Sequence, residues 1–404
     1  MKKKKMLTIM YVLVFTLTAS YLSLAHGWKL LAQVDAPAIE DSAVALPAAT
    51  TPPAVKRSSS AIQVALLLDV SGSMSGLIEQ AKSQLWKILN ELAVLEKEDG
   101  EPDLEIGLYV YGSTGIGNEK NEILKLVDFT TDMDLVSQKL FELGTSGSNE
   151  YAGEVIGKSL KELEWRAGTG HLKTIYIAGN ESFAQGRIPY ATSCGQAVES
   201  GIIVNTIFCG ERNQGIQLDW QRGATAGKGF YFHIDHNQET TYIETPYDDQ
   251  INTLNNSLND TYIPFGKQGV RKKEQQQLQD SNAASYSKAN SAERVKFKSS
   301  KKYKAESWDL VDAYNKDKNV VEEAAALPAE FKELSTAEIN VKIETITADR
   351  TRIKEEIQAQ NKLRDAYILN AKKEATDDHS LEGSILKSIQ ELADKQGFLK
   401  TDEK

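Results

Sequence analysis

The sequence predicts an α/β fold: a doubly wound, mostly parallel sheet followed by a helical C-terminal region. Between Ala61 and about Ile234, short apolar runs alternate with segments of helical spacing, which is typical of a parallel sheet covered by helices on both faces. The first run, Ile62–Leu68, is almost continuously apolar, as in a strand buried on both faces. Beyond about Thr240 the composition becomes charged and rich in Gln, which indicates a second region.

Each predicted element of the α/β part follows from its length and apolar spacing. The strands are expected to be short and rich in aliphatic residues, and the helices longer, with apolar residues three and four positions apart. The predicted strands are Ile62–Leu68, Glu105–Tyr111, Lys173–Ala178, Ile202–Phe208 and Gly229–Ile234. The predicted helices are Leu77–Leu95, Met133–Leu143, Glu154–Trp165, Tyr190–Ser200 and Leu218–Ala226.

In the C-terminal region the apolar spacing predicts amphipathic helices. A short helix is indicated by Ile251, Leu254 and Leu258. A long helix, Thr336–Ala375, is indicated by a capping box, Ser335 with Glu338, and by one apolar stripe that Arg350 interrupts. The stripe consists of Ile339, Ile343, Ile346, Ile353 and Ile357. The stripe needs a partner: the α/β domain, a second helix such as Leu381–Leu392, or another subunit. Because the stripe is interrupted, an intramolecular hairpin is favoured over a long coiled coil.

The N-terminus carries an export signal. Met1 is followed by four lysines and then by the apolar stretch Met6–Leu17, with small residues at Ser23 and Ala25. Residues 1–25 are therefore a cleaved signal peptide or a retained membrane anchor, and either places the remainder in the periplasm, at the cell surface or outside the cell. Residues 26–60 are rich in Ala, Pro and Ser and predict a flexible linker, so the predicted domains are 61–238 and 239–404.

Charge argues against nucleic-acid binding, and the cysteine positions argue against a disulfide. The chain of 404 residues has a net charge of −10, and no segment interleaves basic and aromatic residues, so we expect no nucleic-acid binding. Cys194 and Cys209 are the only cysteines. Helical rise and strand rise place them about 10 Å and about 26 Å above the turn near Gly201, whereas a disulfide needs Cα atoms within about 7 Å. We expect two free thiols.

The residues that suggest chemistry follow the first strand, in the stretch "LLLDVSGSM". Asp69, Ser71 and Ser73 occupy alternate positions on a turn between a buried strand and a helix, at the sheet edge where ligands of open α/β sheets bind. A carboxylate and two hydroxyls suit Mg²⁺, which keeps few protein ligands and several waters. The alternative is that Ser73 or Ser75 only caps the next helix.

"LLLDVSGSM" before an α/β pattern resembles the von Willebrand factor type A family. The resemblance covers about residues 61–235 and implies that Asp69, Ser71 and Ser73 form the first loop of a metal-ion-dependent adhesion site, whose open metal position takes a carboxylate from a protein partner. In the family, later loops supply a threonine and an aspartate. This chain instead has Ser148, Asn149 or Glu150 in "TSGSNEYAGEV", and Asn180 beside Glu181 in "TIYIAGNESF". Asn149 and Glu150 are favoured in the first of these loops.

The expected function is metal-dependent protein binding, in adhesion or envelope assembly, with Mg²⁺, Mn²⁺ or Ca²⁺ as the ion. No catalytic constellation is evident, because Met74 stands where a hydrolase would place its nucleophile, so an enzyme is not expected. Two alternatives stay open. The C-terminal helices could act as a scaffold with a metal site that has lost its role, or the chain could be an accessory subunit that docks on an ATPase.

Overall fold

The computed structural model describes the chain from residue 59 onward, with gaps. The described ranges are 59–98, 100–112, 123–147, 151–235, 242–322, 327–371 and 381–400. The predicted signal or anchor, 1–25, and nearly all of the predicted linker, 26–60, lie outside them. Within these ranges, no helix is long and apolar enough to cross a membrane.

The centre of the molecule is a six-stranded sheet in the order β4-β3-β1-β5-β6-β7. All neighbours are parallel except β3 and β4, which are antiparallel. The strands are β1 (Ala61–Asp69), β3 (Asp103–Tyr111), β4 (Ile123–Thr130), β5 (Leu172–Gly179), β6 (Ile203–Cys209) and β7 (Lys228–Ile234), and β2 (Leu95–Lys97) lies outside this sheet. The doubly wound, mostly parallel sheet is confirmed. The antiparallel edge strand β4 was not predicted.

Helices cover both faces of the sheet and create two apolar cores. They are α1 (Ser75–Ala93), α2 (Met133–Phe141), α3 (Ala152–Glu162), α4 (Tyr190–Glu199), α5 (Arg212–Gln217) and α6 (Trp220–Ala226). Alternate residues of β1 serve opposite faces. Val64 and Leu68 belong to the core with α1 and α2, and Ala65 and Leu67 to the core with α3, α4 and α6. The central strand is therefore buried on both sides, as its composition predicts.

The C-terminal region is helical, as predicted, and packs against the α1 and α2 face. Its elements are α7 (Asp248–Asp260), α8 (Gly269–Tyr286), α9 (Lys288–Ser299), α10 (Leu310–Lys316), α11 (Thr336–Ala371), α12 (Leu381–Lys395) and β8 (Phe398–Lys400). The residues Ile251, Val295 and Phe297 share one core cluster with the sheet. The chain from residue 56 to 404 is thus one compact unit.

The long helix α11 finds its partners among other helices of the chain, but not in Leu381–Leu392. It packs on α7, α9 and α10, whereas α12 packs on α1 and on the edge strand β7. Arg350, which interrupts the apolar stripe, is buried and its Nη1 donates to Asp309 at 2.7 Å and to Asp312 at 2.6 Å. The interruption is therefore an ionic contact with α10 and the residue before it.

The two cysteines lie in different cores. Cys194 on α4 belongs to the cluster on one face of the sheet and Cys209 at the end of β6 to the cluster on the other. Both are buried and neither forms a disulfide, as predicted. Burial raises the pKa of Cys194 to about 12, which keeps it protonated at neutral pH.

Candidate metal centre

The predicted metal turn begins at the last residue of β1. Asp69 is fully buried, and its Oδ1 accepts the N–H of Ser71 at 2.7 Å. The N–H of Val70 donates to the carbonyl of Tyr111 at 2.8 Å, which continues the pairing with β3 into the turn. The hydroxyl oxygens of Ser71 and Ser73 lie 3.4 Å apart. One carboxylate and two hydroxyls are therefore collected at the end of the central strand.

Asn180 joins this turn from the neighbouring strand β5. Its Nδ2 donates to the hydroxyl of Ser73 at 3.1 Å, and its Oδ1 is buried without a hydrogen-bond partner among the described residues. Gly179 permits the approach, because a Cβ there would lie 3.2 Å from Asp69 Oδ2 and 2.6 Å from the hydroxyl of Tyr111. The predicted pairing of Asn180 with the turn is thus present in the geometry.

The segment before α3 also contacts the turn. Ser146 donates its N–H to the carbonyl of Val70 at 2.8 Å, and Gly72 donates to the carbonyl of Gly147 at 3.1 Å. The residues that follow, Ser148, Asn149 and Glu150, lie outside the described residues. Because Gly147 is bonded to Gly72, this loop starts beside the turn, and the choice among the three residues remains a prediction.

The serines of the turn are not used to cap α1. The N-cap residue is Met74, and no side chain of the described residues bonds the first N–H groups of the helix. Met74 instead donates its own N–H to the carbonyl of Ser71 at 3.0 Å. The alternative interpretation, in which Ser73 or Ser75 only caps the helix, does not agree with this geometry.

Aromatic residues that the sequence analysis did not select hold the Asn180 loop in place. The Nε1 of Trp220 donates to the carbonyl of Glu181 at 2.7 Å, and its ring centroid lies 4.9 Å from that of Phe183. The Glu181 residue itself is exposed. In a sequence, such aromatics are indistinguishable from ordinary core residues, so their contact with the loop is visible only in the structure.

An ion pair attaches the next loop, 182–189, to the start of α3. The N–H of Arg187 donates to Glu154 Oε1 at 2.8 Å, and its guanidinium lies 3.3 Å from Oε2. Burial alone would raise the pKa of Glu154, but the hydrogen bonds from Arg187 outweigh it and lower the pKa. Glu154 is therefore ionised at neutral pH and fixes the rim of the site.

The collected oxygen atoms fit a hard divalent cation. Among the described residues, no group of three His, Cys, Asp or Glu side chains could hold a metal. The turn offers one carboxylate, two hydroxyls and the amide of Asn180, whose oxygen has no other described partner. Mg²⁺ and Ca²⁺ accept such oxygen donors, with water completing the coordination. Because the set holds one carboxylate, a divalent metal would keep a net charge of +1.

Two features of the sheet agree with the resemblance found in the sequence. The sheet places β1 at its centre with an antiparallel strand at one edge, and the Asp-x-Ser-x-Ser turn lies at the end of that central strand. The fold of residues 61–234 is thus like that of the von Willebrand factor type A (vWA) family, whose motif the sequence resembles. The helices from α7 onward lie outside this part of the sequence, but α7, α8, α9 and α12 contribute residues to its core.

Comparison with solved structures returns proteins of low sequence identity, one of which is a VWA domain. BatB from Bacteroides thetaiotaomicron is 18% identical, covers 43% of this chain and 90% of its own, with a TM-score of 0.33. An aerotolerance-related membrane protein from Bacteroides fragilis is 17% identical over 43% of this chain and 92% of its own, with a TM-score of 0.30. The SpRpn10 VWA domain is 17% identical over 43% of this chain and 88% of its own, with a TM-score of 0.33.

These similarities concern the vWA fold alone. No family model matches the chain, and no curated protein sequence matches it either. The matched share of this chain, 43%, is about that of the sheet and its first helices.

Proposed function

We propose that the vWA domain binds a protein partner through a divalent cation held by Asp69, Ser71, Ser73 and Asn180. The observation that carries the proposal is that the Ser73 hydroxyl lies beside the Ser71 hydroxyl and Asn180, in the turn where Asp69 accepts the Ser71 N–H, and that α1 is left without a side-chain cap. Asn149 or Glu150 would add a ligand from the adjoining loop. Serines that served the helix alone would bond its first N–H groups.

The charge of the site favours an acidic partner. Asp69 is the only carboxylate among the described residues proposed to hold the cation. With Mg²⁺, Mn²⁺ or Ca²⁺ bound, the centre would therefore have a net charge of +1. Such a centre attracts an external carboxylate by about 4 kcal/mol at about 4 Å under an effective dielectric of about 20. Glu150 would reduce this attraction if it reached the ion. One structurally similar chain, a mussel byssus protein, is described as having a zinc-occupied MIDAS motif.

The proposed role is binding at the cell envelope and not catalysis. The turn supplies ligands for a cation, and buried Met74 stands where a hydrolase would place its nucleophile. The lysine block before the apolar stretch Met6–Leu17 supports export. The partner would then be another envelope or surface protein.

We expect partner capture from an envelope extract to depend on the metal. The full chain should retain its partners in Mg²⁺ and lose them in EDTA, and Asp69→Ala should lose them in both conditions because the only described carboxylate of the centre is gone. Mass spectrometry of the captured proteins provides the measurement. Asp349→Ala, on the exposed side of α11, serves as the matched control and should behave as the unmodified chain. Identical capture under every condition would disprove metal-bridged binding.

Asn180→Asp should strengthen metal binding and weaken partner binding. The new carboxylate would lower the net charge of the centre from +1 to zero. It would attract the cation by several kcal/mol at a separation of about 4 Å and an effective dielectric of about 20. We expect Mg²⁺ affinity to rise by about tenfold or more in calorimetry, because desolvation cancels part of that term. Glu181→Gln is the control for charge in the same loop. An unchanged Mg²⁺ affinity in Asn180→Asp would show that residue 180 does not touch the ion.

A scaffold role of the C-terminal helices is the second candidate. It is favoured by large apolar side chains left exposed on α11, including Val341 at 65% and Leu369 at 67% exposure. Deleting residues 240–404 cannot test it, since these helices complete the core of the sheet. Val341→Ser with Leu369→Ser changes the exposed surface only, and loss of partners in this variant but not in Asp69→Ala would support the scaffold.

A further inference from the structure

A polar groove lies between α7, α8 and α9, on helices that contribute nothing to the metal turn. It encloses about 480 Å³ and is open to solvent. Pockets for small ligands commonly enclose about 300–1,000 Å³, so its size suits a ligand of two or three rings. Four asparagines of α7 line it: Asn252, Asn255, Asn256 and Asn259.

The asparagines form a stripe along one face of α7. Asn252, Asn256 and Asn259 are four and three residues apart, the spacing that aligns side chains along a helix. The opposite wall repeats the pattern on α8, where Gln277 and Ser281 are four residues apart. Facing helix stripes of this spacing are usually apolar and closed against each other. Here both are polar, and the space between them is open.

The floor of the groove is electrically balanced. Asp280 accepts Asn255 Nδ2 at 3.0 Å and Asn259 Nδ2 at 2.9 Å, and its charge is matched by Lys298 at 2.7 Å and Arg294 at 3.0 Å. At the rim, Lys288 and Asp249 form a second pair at 2.7 Å. Every charged group that lines the groove thus has a described partner of opposite charge, so the groove favours an uncharged ligand.

Two amide oxygens in the groove still need a hydrogen-bond donor. Asn255 is 7% exposed, and its Oδ1 has no hydrogen-bond partner among the described residues. The Oδ1 of Asn252 is in the same state, while its Nδ2 donates to the carbonyl of Lys288 at 3.2 Å. Turning the Asn255 amide over would place its oxygen against the Asp280 carboxylate. Both acceptors therefore have no donor among the described residues, and water or a ligand group that reaches them can supply one.

We propose that this groove binds a neutral oligosaccharide. Sugar hydroxyls both donate and accept, which matches the buried acceptors and the exposed amides of Asn256 and Gln277. A peptide would need apolar pockets for its side chains, and of the described residues that line the groove only Ala284 is apolar. Matched charges disfavour sulfated, phosphorylated or acidic sugars.

The test uses the full chain, purified in a detergent without a sugar headgroup, on an array of neutral and acidic oligosaccharides. The neutral set covers hexose, N-acetylhexosamine and pentose linkages. We expect neutral oligosaccharides to bind with Kd of about 1 mM, since no described aromatic ring lines the groove for stacking. Titration by NMR saturation transfer gives the affinity for the strongest neutral probe.

Asn256→Leu should weaken this affinity by at least tenfold. Asn256 is exposed, so the variant should fold, which its melting temperature checks against the unmodified chain. Gln250→Leu, an exposed residue on the same helix that does not line the groove, is the matched control and should bind as before. Asp69→Ala should also bind as before, which separates this site from the proposed metal centre. No neutral ligand on the array, stronger binding of acidic sugars, or unchanged binding by Asn256→Leu would each overturn the proposal.

Discussion

Arg294→Met is expected to destabilise the protein by about 3–5 kcal/mol, the usual effect of removing one partner from a buried ionic group. Arg294 is fully buried on α9, and its guanidinium lies 2.7 Å from Asp134 on α2 and 3.0 Å from Asp280 on α8. It also stacks 4.3 Å from the ring of Trp86 on α1. One side chain therefore joins the vWA helices to the C-terminal region. Urea unfolding followed by circular dichroism measures the loss.

The matched control for Arg294 is an arginine in a surface pair. Arg352 on α11 lies 2.7 Å from Glu356, and their side chains are 60% and 46% exposed. Arg352→Met should cost less than about 0.5 kcal/mol, because solvent screens such pairs. Adding Asp280→Asn to Arg294→Met should restore part of the stability, since one stranded carboxylate is then removed. A cost below about 1 kcal/mol for Arg294→Met alone would show that the regions are not joined by this residue.

The same buried group predicts a dependence of stability on pH. Burial would raise the pKa of Asp280, but Lys298 and Arg294 outweigh it and hold the pKa well below its usual range. The contribution of Asp280 is therefore fully present above its unfolded pKa, near 3.9, and is lost as the pH falls below that value. The acid-induced unfolding of Arg294→Met should begin at higher pH than that of the unmodified chain.

The parts of the fold that the sequence predicts well are those with one unambiguous pattern. The buried strand β1 and the helix α1 follow from apolar runs and helical spacing, and they place Asp69 at the sheet edge. The strand β4 was missed because it pairs only at an edge, where Lys125 and the exposed Asp128 interrupt its apolar pattern. The separate helices α8 and α9 were not predicted within the helical region, because few large apolar residues mark them and, in α9, charged residues that normally face solvent are buried. Lys298 and Arg294 are fully buried, each beside Asp280.

The candidate site was predictable in its first loop and only partly beyond it. Asp69, Ser71 and Ser73 lie two positions apart from one another in a single motif, so local spacing is sufficient to place them. Asn180 comes from a strand more than 100 residues later, and its contact with Ser73 depends on Gly179 and Trp220, whose roles no local pattern shows. The contribution of Asn149 or Glu150 remains a prediction.

Ending the chain after residue 380 is expected to prevent the vWA sheet from folding. This removes α12, which buries Leu381, Ile385, Ile389 and Leu392 against the sheet and α1. At about 1.5–3 kcal/mol for each buried side chain, the four contribute roughly 6–12 kcal/mol, as much as the whole stability of a typical domain, about 5–15 kcal/mol. The truncation would also expose the apolar residues of α1 and β7 that α12 covers. Circular dichroism and limited proteolysis measure the outcome.

A single substitution in α12 tests whether its contribution to stability comes from packing. Ile385→Ala should cost about 2–5 kcal/mol, because it leaves a cavity between α12 and the sheet, whereas Lys387→Ala on the exposed side of the same helix should cost little. Ending the chain after Lys400 removes only residues 401–404 and is the control for truncation itself. If the chain that ends at residue 380 still melts cooperatively at the original temperature, α12 is an attachment to a complete vWA domain. If it does not, the last helix of the chain completes the core that positions Asp69.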